Sequence, residues 1–123
     1  MIYLAGPISD CSGPEVMAWR QEATQALGGR VFDPIADPLR AEADPASIIK
    51  EDLVMIRHSS AVLANWWKES AGTAMEIFYA RQLVIPVILV IQPGRISPWL
   101  VHHASYRVET LAEGIRRARE YLA

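Results

Sequence analysis

The sequence predicts an α/β protein built on a doubly wound sheet of about five mostly parallel strands, with helices on both faces. Three observations carry this. Short apolar runs alternate with segments of helical spacing along the whole chain. The run Val87-Ile88-Leu89-Val90-Ile91 is apolar throughout and nearly all β-branched, the pattern of a strand covered on both faces. Finally, Ile2-Tyr3-Leu4-Ala5 begins almost at residue one and stops at the turn formers Gly6 and Pro7. Such a start predicts a central strand with a ligand loop behind it.

The elements follow in order. After the first strand, Ile8 to Pro14 reads as loop, and a helix is expected from Glu15 to Leu27. Val16, Trp19, Ala23 and Leu27 form its buried stripe, and Gly28-Gly29 ends it. Val31-Phe32 is a brief second strand closed by Asp33-Pro34. Ile35 to Pro45 holds three acids and two prolines without periodicity, so it reads as an irregular lid or rim. A helix from about Ala46 to Ser59 buries Ile48, Ile49, Leu53 and Ile56, turns Lys50 and Glu51 outward, and leaves Asp52 between the two. Ala61 to Asn65 is the third strand, followed by Trp66-Trp67 and a helix whose stretch from Ala74 to Leu83 is apolar on nearly every side. Deep packing is expected of such a helix. Beyond the fourth strand, Pro98 opens a short helix reaching Ala104, and Tyr106-Arg107-Val108 is a short last strand. Thr110 and Glu113 read as a capping box for a final helix ending near Leu122.

The totals exclude several classes. At 123 residues, with 51% hydrophobic and 21% charged residues, one soluble domain spanning the whole chain is expected. A formal net charge of −2 argues against a non-specific nucleic-acid binder. Cys11 is the single cysteine, so an internal disulfide framework is excluded and a reducing compartment fits. Leu83 to Ile91 is too short to cross a bilayer, and no basic leader precedes the first strand; a cytoplasmic protein is expected. Adjacent His102 and His103 diverge on a helix, so no metal site is expected. Both the Walker loop and the dinucleotide glycine fingerprint are missing. A phospho-acceptor reading fails as well, because no acidic pair follows the first strand and the third ends in Asn65.

Ligands of such sheets bind beyond the carboxyl ends of the strands. There lies Ser70-Ala71-Gly72-Thr73-Ala74-Met75-Glu76, in which Ser70 or Thr73 can cap the helix and Gly72 eases the turn. Glu76 is the only acid in that helix, and its neighbours one turn away, Gly72, Thr73, Tyr79 and Ala80, are mostly small and leave room beside it. In a first turn it feels the positive end of the helix dipole, which favours ionisation. An ionised carboxylate with open space beside it is placed to act as a nucleophile; it can also be a helix-start acid that merely complements the dipole. Trp66 and Trp67 can stack on a flat base or plug the edge of the core.

Taken together, Ile2-Tyr3-Leu4-Ala5-Gly6-Pro7, Trp19-Arg20, Asp33-Pro34, Glu51-Asp52-Leu53 and Gly72-Thr73-Ala74-Met75-Glu76-Ile77 resemble the nucleoside 2-deoxyribosyltransferase family. That family includes the 2'-deoxynucleoside 5'-monophosphate N-glycosidases. The resemblance covers nearly the whole chain and implies a flavodoxin-like, Rossmann-like domain. It implies Glu76 as nucleophile, Tyr3 as the group orienting it, and Asp52 as the acid that contacts the sugar or helps protonate the leaving base. Gly6, Ile8, Ser70, Gly72 and Ser97 would line the sugar-phosphate site, and Trp66 or Trp99 would border the base. It implies no cofactor, and a homodimer or larger assembly in which Ser97 reaches a neighbour's pocket.

Whether the chain hydrolyses or transfers turns on position 70. Transferases of the family often carry an aspartate six residues before the nucleophile; here Ser70 stands there. In the monophosphate N-glycosidases that position is a serine that binds the 5'-phosphate, and Ser97 in Gly94-Arg95-Ile96-Ser97 matches a second phosphate serine. A carboxylate would repel a phosphate dianion, whereas a hydroxyl with nearby backbone N–H groups binds it. One departure counts against this. The first loop carries Ser9-Asp10 where related hydrolases can carry a phosphate-binding arginine, leaving Arg95 or Arg20 to compensate. Hydrolysis of a nucleotide, base exchange between deoxynucleosides, and a non-catalytic nucleotide sensor are thus the three readings.

Overall fold

A computed structural model describes residues 1–94 and 96–122. Arg95, one of the two arginines offered for a phosphate, lies outside the described residues. The elements are β1 (Ile2–Ala5), α1 (Gly13–Ala26), β2 (Val31–Phe32), 3-10 turns at Pro34–Ala36 and Arg40–Glu42, α2 (Pro45–Arg57), β3 (Ala61–Trp66), α3 (Ala71–Gln82), β4 (Val87–Ile91), α4 (Pro98–His103), β5 (Tyr106–Val108) and α5 (Leu111–Arg119). All strand pairings are parallel, in the order β2-β1-β3-β4-β5. The order reverses at β1, so a crevice opens between the carboxyl ends of β1 and β3. Among the described residues no helix is long and apolar enough to cross a membrane.

Period-two alternation divides the core. Ile2, Leu4, Leu63, Ile88 and Val90 face α1 and α5, where Trp19, Leu27 and Ile115 meet them. Tyr3, Ala5, Val62 and Leu89 face the opposite side, against Ile56, Ile77 and Leu100. Each helix start has a chemical cause. Ser12 and Glu15 form a reciprocal capping box at α1, and Asp44 accepts from the Ser47 N–H at α2. Thr110 accepts from the Glu113 N–H at α5.

Several expectations need correction. Ile49 does not belong to the buried stripe of α2: it is 57% exposed, whereas Ile56 is fully buried. The helix holding Glu76 is not packed on every side. Its inner face buries Thr73, Ile77 and Ala80, while Met75 and Phe78 are 71% and 49% exposed. Being apolar all round, α3 gives no sequence contrast between core and surface. Ser70 rather than Thr73 is the cap, so α3 starts at Ala71 and Glu76 sits in the second turn, not the first. The irregular segment holds two 3-10 turns, and α2 begins at Pro45 rather than after it.

A buried cluster fixes the loop after β1. The Arg20 guanidinium is 1% exposed and donates to Leu4 O and Gly6 O, both at 3.0 Å, and to Asp33 Oδ1 at 3.1 Å. Asp33 in turn caps the 3-10 turn through the Ile35 N–H. A Cβ on Gly6 would stand 2.6 Å from the Trp19 ring, so the loop lies this close only because residue 6 has no side chain. Trp19, Arg20, Asp33 and Gly6 therefore act as one structural unit.

Candidate active site

A cavity of about 540 Å³ occupies the crevice, walled by α2, the start of α3, the loop after β1 and the segment carrying Arg40. Tyr3 lies behind the cavity on β1, fully buried, its ring stacked on Phe32 at 5.6 Å. The Tyr3 hydroxyl donates to Glu76 Oε2. Burial, and then the charge of Glu76, push the Tyr3 phenol far above its ordinary pKa, so it stays a donor. Glu76 differs from its expectation. Burial raises its pKa to about 7, with Asp52 adding to the rise, while the Tyr3 hydrogen bond and Arg20 oppose it. The dipole bias at a helix start is worth roughly 0.3–1 kcal/mol. A rise from 4.5 to about 7 corresponds to roughly 3 kcal/mol, so burial wins.

Asp52 enters from α2 with its side chain 13% exposed. Burial raises its pKa, and Arg40 pulls it back through contacts of 3.4 Å to both carboxylate oxygens. Ser70 caps α3 by accepting from the Thr73 N–H at 3.2 Å, and its hydroxyl lies 2.8 Å from that of Thr73. Gly6, Ile8 and Gly72 line the same cavity. At its mouth Lys68 donates to Asp10 O at 2.6 Å.

The fold thus gathers Tyr3, Asp52, Glu76, Gly6, Ile8, Ser70 and Gly72, and leaves three expected residues outside. Ser97 caps α4 through the Trp99 N–H, exposed and away from the cavity. Trp99 is 75% exposed beside Phe78 and His102, over a separate shallow depression. Trp66 packs half-buried against the core face of Tyr3, as the plug rather than the stacking platform. Arg20 is unsuited to compensate for the missing loop arginine, because both of its terminal nitrogens are tied to the protein. Arg40 and Lys68 were not anticipated. Each carries a weak signal: Arg40 is the one cation in an acidic segment, and Lys68 the one cation between β3 and α3. Among the described residues no three His, Cys, Asp or Glu side chains are grouped to hold a metal ion.

The family model described as nucleoside 2-deoxyribosyltransferase matches residues 2–111. The chain belongs to the nucleoside 2-deoxyribosyltransferase family. The family is enzymatic, and its chemistry is glycosyl transfer or cleavage of the deoxyribosyltransferase type. Solved structures share the fold. A 2-deoxyribosyltransferase from the psychrotolerant bacterium Bacillus psychrosaccharolyticus is 22% identical, with a TM-score of 0.74 over 91% of this chain and 88% of that one. A 2-deoxyribosyltransferase from Leishmania mexicana is 18% identical, with a TM-score of 0.72 over 97% and 96%. A conserved protein from Enterococcus faecalis is 20% identical, with a TM-score of 0.59 over 94% and 86%. No curated protein matches the chain in sequence. The two 2-deoxyribosyltransferases share the α/β fold of this chain, and the 2–111 match takes in every residue gathered at the cavity.

Proposed function

We propose that this chain cleaves the N-glycosidic bond of a 2'-deoxynucleoside 5'-monophosphate, releasing free base and sugar phosphate through a covalent glycosyl-Glu76 intermediate. One observation carries the reading: a half-buried Glu76 held by Tyr3 shares its cavity with half-buried Asp52, and position 70 on that cavity bears a hydroxyl rather than an acid. The ionised Glu76 attacks the anomeric carbon as the bond to the base breaks, and the bonding pair leaves with the base nitrogen. Protonated Asp52 delivers its proton to that base. Water then attacks the same carbon, gives its proton to Asp52, and frees Glu76 with net retention. Two acids in one poorly solvated cavity suit these opposite roles, since a charge on either disfavours a charge on the other.

The Ser70 hydroxyl at the start of α3 takes the 5'-phosphate, and Lys68 supplies the cation that the first loop lacks. Ser97 joins from a second copy. The exposed Phe78 and Trp99, which share one depression with Pro98 next to Ser97, supply an apolar interface for a homodimer. Phe78→Lys is expected to shift the sedimentation coefficient from dimer to monomer; an unchanged value would put the interface elsewhere.

The test is chromatography of base released from matched deoxynucleosides and their 5'-monophosphates, each with and without an acceptor base. Release from the monophosphate without acceptor is expected. The family match supports base exchange equally, and this is the second reading. A new nucleoside formed only when acceptor is present establishes exchange and overturns the phosphate role of Ser70.

A further inference from the structure

The segment between β2 and α2 puts one guanidinium onto the cavity. Arg40 is 24% exposed and lies on the second 3-10 turn; its Nη1 also reaches Pro34 O at 3.3 Å. Its remaining contacts go to Asp52, with Nη1 against both carboxylate oxygens and Nη2 against Oδ2. A two-pronged contact of this kind fixes the plane of a carboxylate as well as its charge, which a lone ammonium does not. No other side chain of the described residues is hydrogen-bonded to Asp52. We propose that Arg40 is the positioning residue for Asp52: it orients the carboxylate toward the cavity and sets the pH at which that acid gives up its proton.

The charged groups around Asp52 come from every neighbouring element. Arg40 faces it from the 3-10 turn, Arg20 from α1, Glu76 from α3, Tyr3 from β1, and Glu51 adjoins it on α2. The two glutamates and burial favour the protonated acid, and the two arginines favour the carboxylate. Arg20 is already paired to Asp33, so Arg40 is the cation in contact. Its removal leaves burial and the acidic neighbours opposed only by Arg20. The midpoint of Asp52 then moves up, by about one pH unit or more. The role of Asp52 as proton donor rests on the function proposed above; the contact with Arg40 does not.

The experiment separates the two. The Asp52 side-chain carboxyl is titrated by carbon NMR in the full chain and in Arg40→Gln and Arg40→Lys, with circular dichroism to verify folding. Arg40→Gln is expected to raise the Asp52 midpoint by about one unit or more, and Arg40→Lys to raise it less. The pH dependence of kcat/KM for base release supplies the second readout. The limb that follows the Asp52 proton should move upward in Arg40→Gln, with Arg40→Lys in between. A folded Arg40→Gln whose Asp52 midpoint and pH profile both stay put overturns the proposal. If Arg40→Gln fails to fold, an Arg40→Lys titration identical to wild type overturns it instead. A wild-type protein that releases no base from any substrate defeats the functional reading, while the titration still reports on Arg40.

Discussion

The two faces of the sheet share their strands and differ in what they are built to do. Residues 2 and 4 of β1 point at α1 and α5, and both are aliphatic; residue 3 points the other way and is a tyrosine. On the first face Leu27, Leu63 and Ile115 pack with Trp19 in an apolar layer. On the second, the buried Tyr3 donates its hydroxyl to Glu76, and α2 and the start of α3 wall the cavity. One strand therefore meets an aliphatic layer on one side, and on the other lends one tyrosine both to the core and to the Glu76 carboxylate. The outermost layers differ in the same way. Helix α5 places Arg116 and Arg119 on its outer side, whereas α3 shows Met75 and Phe78.

The strongest way to break this division is to cross it. Glu76→Gln should abolish base release by roughly a thousandfold or more while the chain stays folded. Retained turnover would remove Glu76 from the chemistry. Leu63→Ala on the other face should do the reverse, costing about 2–5 kcal/mol in urea denaturation because Leu63 is fully buried. Well below its unfolding midpoint, that variant should keep kcat near wild type. Equal losses of kcat from both variants would mean that the faces are not separable.

A further consequence concerns stability and pH. The Glu76 pKa is raised in the folded state to about 7 from an ordinary 4.5. Between those values the folded chain holds a proton that the unfolded chain has lost, so stability falls as pH rises through this window. Below pH 4.5 both states are protonated and the penalty is absent. Above about 7 it is present in full, on the order of 2–3 kcal/mol after allowance for the open side of the cavity. Glu76→Gln, which never ionises, should therefore melt above wild type at pH 8 and lose that advantage by pH 4. An advantage that persists unchanged at pH 4 would point to packing instead of charge.

The sequence made the second face harder to read than the first. Strands and helices were legible because their apolar residues recur with periods of 2 and 3.6, and β4 by its unbroken run. Gly6, Trp19, Arg20 and Asp33 could be picked out as residues, but not as one cluster, because a guanidinium bonding two carbonyls across 14 and 16 positions leaves no local pattern. Glu76 was legible as a lone acid in an apolar helix; its depth was not, since depth follows from α2 and the loop after β1. Composition also misplaced Met75 and Phe78, which are as apolar as core residues. Arg40 lay in a segment without periodicity, and only folding brings it across 12 positions to Asp52.

The smallest expected effect tests the comparison at two helix ends. Helices α1 and α3 close in the same way, each with paired backbone bonds and a left-handed residue. At α1 the Gly29 N–H reaches Thr24 O and the Gly28 N–H reaches Gln25 O; at α3 the Ile85 N–H reaches Ala80 O and the Val84 N–H reaches Arg81 O. After α1 the left-handed positions are glycines, Gly28 at φ 64° and Gly29 at φ 75°, whereas after α3 the left-handed residue is Val84 at φ 62°. A β-branched side chain strains there, at roughly 1–2 kcal/mol, and Val84 is 80% exposed, so little packing offsets it. Asparagine tolerates the conformation without the extra unfolded-state freedom of glycine. Val84→Asn should therefore stabilise the chain by about 0.5–1 kcal/mol in urea denaturation. A loss of stability would mean that the valine is held by packing which outweighs its backbone strain, and that the exposed side of α3 contributes to folding after all.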